Sequence, residues 1–295
     1  MSARVVVPRG RFSLAASMRF AEGFTPDPHA SGATGHLHLA FVPDGETLPA
    51  GACVREEDGD LVVEISGEAD HERAHAQALR ILSLDIDGTG FAAVGARDPV
   101  IGGLQERYDG LRPVGFLSPF EAGVWFLLGQ RIRTAQAARL KARVRDALGG
   151  PVTVCGERLV AFPGPHALVD LGVVEGIPEV KRERITALAR AAVDGALDGD
   201  RLRALHPADA IAELQELPGV GPFTAQGIVL RGAGAPDVLA AAEPRLGRAI
   251  VHAYGLDAPL SDVQVAELAE AWRPFRSWAT VLLRVDLDRG APGSR

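Results

Sequence analysis

A short glycine-containing segment places the strongest constraint on how this 295-residue chain folds. The segment Leu217–Ala225 carries the pattern L-P-G-h-G-x-x-T-A, in which h is an apolar residue. Glycine adopts positive φ angles without strain and allows a second backbone to approach closely. Two glycines on either side of one apolar residue therefore predict a tight turn between two helices.

Such a turn creates a small anion site. Amide N–H groups at the start of the second helix have no intrahelical acceptor, and the helix dipole adds partial positive charge there. A nucleic-acid phosphate fits this site without any charged side chain. From this pattern we predict phosphate contacts at Gly219, Val220, Gly221 and Thr224.

The distribution of charge limits how the chain can bind nucleic acid. The formal net charge is −7, and the first 100 residues alone hold 8 basic and 15 acidic side chains, which accounts for all of it. The remainder is neutral, so an acidic face is expected only on the N-terminal part. This balance predicts weak non-specific binding and slow electrostatic steering toward DNA.

Several function classes find no support in the sequence. No apolar run approaches the roughly 20 residues of a membrane span, and the first residues lack a secretory signal. Cys53 and Cys155 lie far apart without metal spacing, so we interpret them as reduced thiols of a cytoplasmic protein. His36 and His38 share one face of a strand but have no third ligand nearby in sequence, and we interpret them as surface residues. We therefore expect no cofactor.

The pattern of apolar residues changes near residue 97. Alternation over residues 36–42, a run at 61–65 and a helical pattern over 71–82 predict a small antiparallel sheet domain with one or two helices at 1–97. From Asp98 to residue 288 the chain reads as successive helices, with a disordered tail at 289–295. The expected fold class is α+β: an N-terminal antiparallel sheet domain, followed by an all-α region that contains the hairpin.

Several segments in addition to the hairpin resemble the bacterial 3-methyladenine DNA glycosylase II family, within the helix-hairpin-helix DNA glycosylases. The resemblance is dense from about residue 97 to 288 and rests on blocks in the same order: 97–99, 110–115, 119–123, 128–140, 230–232, 237–238 and 271–279. It implies a cleft between two helical lobes, and base flipping into a pocket. The family uses an Asp to stabilise the sugar cation, and the corresponding residue here is Glu243.

The resemblance also implies the residues that contact duplex DNA. Gln130 and Arg131 correspond to the wedge that fills the space left by a flipped base, and a guanidinium plane can stack there. Arg133 lies near enough in sequence to reach a phosphate, and Arg245 lies beside the cleft loop. Backbone carbonyls of Gln215, Leu217 and Val220 correspond to the family's site for a monovalent cation.

The candidate base pocket departs from the family. Gly227 and Pro244 stand where the family usually has aromatic rings. The rings available to line a pocket instead, together with one thioether, are Phe223, Trp272, Phe275, Trp278, Met18 and Phe20. Phe223 occupies the position at which bifunctional relatives carry a Schiff-base lysine. The implied enzyme is therefore a monofunctional hydrolase that acts on alkylated or otherwise damaged bases.

Two other functions fit the same residues. One is a non-catalytic module that binds DNA lesions. The other is a hydrolase of free nucleosides or metabolites, a function that agrees with the acidic charge and the altered pocket. Salt-dependent binding to duplex DNA distinguishes the hydrolase of free nucleosides or metabolites from the other two functions. Release of bases from alkylated DNA distinguishes the non-catalytic module. In the leading interpretation the partner is double-stranded DNA. Neither a membrane nor a protein partner is implied, and we expect a monomer.

Overall fold

The N-terminal part of the molecule is built on a four-stranded antiparallel sheet. The structure, a computed structural model, describes residues 2–23, 35–240 and 243–290. The strands of this sheet are β1 (Ser2–Val6), β2 (Leu37–Phe41), β3 (Ala50–Glu57) and β4 (Asp60–Gly67), and their spatial order is β1-β4-β3-β2. Asp58 and Gly59 both have positive φ and close the tight turn between β3 and β4. This confirms the predicted antiparallel sheet.

One face of the sheet packs against helices. The helices of this region are α1 (Leu14–Glu22) and α2 (His71–Ile81). Leu37, Leu39 and Phe41 point into the same core as Ala74 and Ala78 of α2. The alternation that the sequence shows in β2 therefore reflects a strand with one face on this core.

The rest of the chain is mostly helical, and it forms two lobes. In chain order, the helices are α3 (Phe91–Arg97), α4 (Pro99–Arg107), α5 (Pro119–Gly129), α6 (Thr134–Leu148), α7 (Glu179–Val193), α8 (Gly199–Ala204), α9 (Pro207–Gln215), α10 (Pro222–Gly227), α11 (Pro244–Tyr254), α12 (Asp262–Leu268) and α13 (Arg276–Gly290). Helices α5, α6, α7, α9 and α10 share one apolar core. Helices α3, α4, α11 and α13 share another, so the two predicted lobes are present.

A β-hairpin interrupts the helical region, which the sequence predicted to be all-α. Its strands, β5 (Gly150–Val154) and β6 (Glu157–Ala161), lie between α6 and α7. Val152 and Val154 pack on Ala40 and Cys53, so the hairpin covers the second face of the sheet. Strands of five residues carry too little alternation to be predicted from periodicity, and this one depends on a partner surface that is distant in sequence.

Two predicted boundaries differ from the packing of the helices. Val94 of α3, which precedes the boundary at residue 97, belongs to the core of the second lobe. At the other end, α13 continues through Arg289 and Gly290 and so includes the first two residues of the predicted tail. Residues 291–295 lie outside the described residues.

Candidate nucleic-acid interface and active site

The glycine-containing segment forms the predicted turn between two helices. Helix α9 ends at Gln215 and α10 begins at Pro222. The Val220 side chain is buried in the core of the first lobe and anchors the turn. No side chain caps the N-terminus of α10, so its first amide groups remain open to an external acceptor.

The amide groups of this turn differ in their availability. The Val220 N–H donates to the Leu217 carbonyl at 3.0 Å, so it is already used within the turn, contrary to its predicted role as a phosphate donor. The Thr224 side chain is buried, which leaves only its backbone N–H as a contact. Among the described residues, the N–H groups of Gly221, Phe223 and Thr224 have no acceptor. These three groups are the candidate anion site.

The two glycines of the turn have different structural roles. Gly219 has φ +80°, and a Cβ there would collide with the side chain of Arg184. Gly221 has φ −89°, and a Cβ there would meet no atom within 4 Å. Gly219 is therefore required by the fold of the turn, whereas the absence of a side chain at Gly221 only keeps the anion site open.

A hydrogen-bond network joins the hairpin to the turn between α5 and α6. Gln130 Nε2 donates to the Gly219 carbonyl at 2.8 Å, and Arg184 Nη1 donates to Gln130 Oε1 at 2.8 Å. Lys181 Nζ donates to the Gln130 carbonyl at 2.9 Å. Gln130 thus links the two segments, and the network fixes the distance between the hairpin and the next residue, Arg131.

Arg131 is the exposed tip of the α5–α6 turn. Its φ of +59° lies in the left-handed region, which is uncommon for a residue with a long side chain. Arg133 is also exposed, and it precedes α6. Arg245, in contrast, donates to both carboxylate oxygens of Asp288 at 2.9 Å. Of the three predicted basic contacts, Arg131 and Arg133 are therefore the better placed to meet a phosphate.

Glu243 lies at the start of α11, between the two helical lobes. Its side chain is only 10% exposed, and its Oε2 lies 3.7 Å from Arg284 Nη1. The sequence offered no sign of this partner, because Arg284 belongs to α13. Burial lowers the pKa of Arg284, and Glu243 opposes that shift. The pair holds a carboxylate largely out of solvent in a defined position.

A second arginine approaches the same carboxylate from the π-helical turn Ile228–Gly232. Burial, followed by the charge of Arg284, lowers the pKa of Arg231 to about 9, and Glu243 acts in the opposite direction. Arg231 donates to the Val114 carbonyl at 3.1 Å, and its guanidinium carbon lies 5.5 Å from the centre of the Phe20 ring. Arg231 therefore connects Glu243 to the aromatic residues of the cleft.

We define the aromatic cluster as Phe20, Phe116, Trp125, Phe126 and Phe223. The Phe126 ring centre lies 6.0 Å from that of Phe116 and 5.5 Å from that of Phe223. Phe20 and Trp125 pack against the same group. Only Phe20 and Phe223 were predicted from the sequence, although Phe116, Trp125 and Phe126 lie in or beside the segments 110–115 and 119–130, where the resemblance is dense.

Phe126 compensates for the ring that the sequence lacks at position 227. A Cβ at Gly227 would collide with the Phe126 ring, so the aromatic side chain from α5 fills the space over that glycine. The Phe223 side chain is 56% exposed, which is unusual for a large apolar group. The cluster therefore has an exposed edge at the hairpin.

Four predicted pocket residues lie elsewhere. Trp272 is fully buried, and its Nε1 donates to Asp98 Oδ2 at 2.8 Å. Phe275 and Trp278 are buried against each other and against Phe91 in the core of the second lobe. Met18 packs on the core of the sheet domain. These side chains are engaged in the scaffold, as aromatic residues at helical spacing commonly are.

Both lysines of the chain are engaged in the scaffold. Lys141 Nζ lies 2.7 Å from Glu121 Oε1 inside the first lobe. Lys181 donates to the carbonyls of Leu128 and Gln130. Neither amine belongs to the group formed by Glu243, Arg231 and the aromatic cluster, which agrees with the absence of a lysine at position 223.

Sequence comparisons find relatives among DNA repair proteins. No family model matches the chain. A Bacillus subtilis DNA-3-methyladenine glycosylase is 27% identical over 205 residues, which are 68% of this chain and 67% of the relative. A probable bifunctional transcriptional activator and DNA repair enzyme AlkA of Mycobacterium tuberculosis is 29% identical over 281 residues, which are 87% of this chain and 54% of the relative. The chain is thus homologous to DNA-3-methyladenine glycosylases, and spans about half the length of the mycobacterial relative.

Structural comparisons identify the fold. A 3-methyladenine DNA glycosylase of Archaeoglobus fulgidus superposes with a TM-score of 0.77 at 22% identity, over 97% of this chain and 98% of that one. An 8-oxoguanine glycosylase/lyase of Clostridium acetobutylicum, solved with double-stranded DNA, gives 0.67 at 14% identity over 99% of both chains. The fold is that of helix-hairpin-helix DNA glycosylases, which confirms the predicted α+β class. Among the described helices, none has the length and apolarity to cross a membrane.

Proposed function

We propose that this protein is a monofunctional DNA N-glycosylase that flips a damaged base out of the duplex and hydrolyses its N-glycosidic bond. The observation that carries the proposal is the position of Glu243. Its carboxylate is nearly buried at the start of α11, held by Arg284, and joined through Arg231 to the aromatic cluster. A carboxylate in such a cleft stabilises the positive charge that develops on the sugar as the base leaves.

The proposed DNA contacts surround this cleft. The N–H groups of Gly221, Phe223 and Thr224 bind one phosphate, while Arg131 enters the space vacated by the flipped base. The Gln130–Gly219 hydrogen bond keeps these two contacts at a fixed separation. The carbonyl of Leu217, like any carbonyl, retains a lone pair after it accepts the Val220 N–H. It can therefore join Gln215 and Val220 in holding a monovalent cation at the turn.

The charge of the cleft bears on which bases are removed. Among the described residues, three guanidinium groups, those of Arg231, Arg245 and Arg284, accompany two carboxylates, those of Glu243 and Asp288. A cationic methylated base would meet this excess positive charge at short range, where the low dielectric strengthens repulsion. Neutral damaged bases avoid that repulsion and stack on the aromatic cluster equally well. We therefore propose a preference for neutral over cationic lesions.

Base release measured by mass spectrometry tests the function. Wild-type protein is incubated with methylated genomic DNA and with duplexes that carry a neutral lesion, and the freed bases are quantified. We expect release by the wild type and none by Glu243→Gln, which removes the charge but keeps the size. The Gln variant should bind duplex at least as tightly, because one phosphate-repelling charge is gone. Equal release by the wild type and Glu243→Gln would rule out Glu243 as the stabilising carboxylate.

Glu243→Asp separates a working site from an inactive one. Asp is the family residue and shortens the side chain by one methylene, which moves the carboxylate by about 1 Å. A change in rate is expected if the wild type is active. If only the Asp variant releases bases, the natural protein is a DNA-lesion-binding module and not an enzyme. No covalent complex should form with borohydride, because both lysines are engaged in the scaffold.

A further inference from the structure

Four metal-ligating side chains meet at the junction between the sheet and the β5–β6 hairpin. His36 and His38 come from the start of β2, Cys53 from β3 and Cys155 from the hairpin turn. One ligand atom from each residue lies within 4.8 Å of those of the other three. The interpretation of His36 and His38 as surface residues is wrong for His38, which is buried. Cys155 is brought to the other three residues only when the hairpin packs on the sheet.

His38 is oriented as a metal-binding histidine. Its Nδ1 lies 2.8 Å from Glu157 Oε2. This carboxylate accepts the Nδ1 proton, so the lone pair is left on Nε2, as in the carboxylate–histidine–zinc arrangement. His38 Nε2 is buried and has no hydrogen-bond partner within the described part of the chain. A buried ring nitrogen without a partner is rare and requires an explanation.

Cys155 occupies an unusual backbone conformation. Cys155 has φ +46° and Gly156 has φ +81°, so both central residues of the two-residue hairpin loop are left-handed. Loops of this kind favour Asn or Asp at the first position, and not Cys. Residues held in such sparsely populated conformations often lie at ligand sites. In this conformation, the Cys155 sulfur lies within 4.8 Å of the ligand atoms of Cys53 and of the two histidines.

We propose that His36, His38, Cys53 and Cys155 bind a Zn²⁺ ion that fastens the β5–β6 hairpin to the N-terminal sheet. Two thiolates and two imidazoles form a common tetrahedral donor set for structural zinc. Ideal zinc bond lengths place ligand atoms about 3.3–3.8 Å apart. Cys53 Sγ and His36 Nδ1 are already 3.5 Å apart. No two of the ligand atoms are more than 4.8 Å apart, so a shift of about 1 Å at most, comparable to one rotamer adjustment, brings them to zinc geometry.

The electrostatics of the two thiols also favour a cation. Both sulfurs become thiolates together only when a cation lies between them. The nearest positive group, Arg55 Nη1, lies 3.9 Å from Cys53 Sγ and is 2.9 Å from Glu64, which already balances its charge.

Metal analysis of the full chain tests the site. We expect purified protein to hold about one Zn²⁺ per chain by inductively coupled plasma mass spectrometry. Replacement by Co²⁺ should give the absorption bands of a tetrahedral thiolate complex. The proposal would be overturned if the purified protein contained no metal and still bound none after Zn²⁺ or Co²⁺ was added. A Cys53–Cys155 disulfide in protein purified under reducing conditions would also overturn it.

The key variant is Cys155→Asn. Cys53 is buried in the sheet, so its replacement could disrupt folding by itself. Asn suits the left-handed position of a two-residue hairpin loop, so Cys155→Asn keeps the turn and removes one ligand. We expect at least a hundredfold weaker Zn²⁺ binding, and a chelator should lower the melting temperature of the wild type only. His166→Asn, at an exposed histidine outside the cluster, should retain the metal. Unchanged zinc content in Cys155→Asn would refute the assignment.

Discussion

Arg284 and Glu243 form an ion pair that joins two helices of the second lobe. Arg284 Nη1 of α13 lies 3.7 Å from Glu243 Oε2 at the start of α11. Arg248, one turn along α11, is exposed, and the ion pair is made by Arg284 instead. The partner of Glu243 comes from a different helix because α11 and α13 pack side by side. Arg284 is thus a positioning residue for the proposed catalytic carboxylate.

Arg284→Met should slow base release without weakening DNA binding. The apolar side chain keeps most of the volume but leaves Glu243 without its anchor, and a displacement of about 1 Å costs on the order of 100-fold in rate. We expect the single-turnover rate to fall at least tenfold while the duplex Kd changes by less than about threefold. The single-turnover rate should fall less in Arg284→Lys, because lysine keeps the positive charge. Wild-type rates in Arg284→Met would show that Glu243 needs no anchor.

Gly219→Ala should mainly lower the free energy of unfolding, whereas Gly221→Ala should mainly weaken binding to duplex DNA. A Cβ at Gly219 is strained by its φ of +80° and displaces Arg184, so we expect a loss of about 1–2 kcal/mol in the free energy of unfolding. Gly221→Ala has open space and should change stability by less than about 0.5 kcal/mol. A methyl group there nevertheless reaches toward the anion site, so the duplex Kd should rise at least tenfold. Denaturant unfolding and fluorescence anisotropy measure the two effects; unchanged binding in Gly221→Ala would remove this turn from the DNA interface.

Arg131→Ala should affect matched duplexes more than mismatched ones. The side chain at the tip of the α5–α6 turn is proposed to hold the duplex open, and opening costs less at a mismatched or damaged base pair. The excision rates of the same lesion in a matched and in a mismatched duplex should therefore differ more in Arg131→Ala than in the wild type. Arg133→Ala is the matched control: loss of a phosphate contact should weaken binding uniformly and lower the salt slope by about one. Equal losses on both duplexes would contradict a wedge role for Arg131.

His75 should make the stability of the protein fall in acid. Burial, followed by the charge of Arg4, lowers the pKa of His75 below 6.5, and Glu72 opposes the shift. The unfolded chain therefore binds more protons than the folded chain below pH 6.5, and stability is lost as the pH falls through this range. Urea unfolding at pH 7.5 and 5.5 should show a smaller loss for His75→Gln than for the wild type. The same pH dependence in both proteins would assign the effect to other groups.

Local patterns predicted much of the scaffold and one part of the site. The tight turn at Gly219, the strand at residues 37–41 and the helix that begins at His71 follow from glycine content and apolar periodicity, which act between near neighbours in the chain. Resemblance to a family added Glu243, Arg131 and the two lobes of the helical region. The roles of these residues in DNA binding and catalysis stay predictions.

The sequence by itself determined where helices and strands begin, because caps, glycines and apolar spacing act locally along the chain. Only the tertiary structure decided which side chains meet: Phe126 over Gly227, Arg284 beside Glu243, and Cys155 beside His38. Such contacts depend on how two helices pack, or on how a hairpin lies on a sheet. Because no local pattern encodes those long-range arrangements, residues that look unrelated in sequence become one site only after the chain has folded.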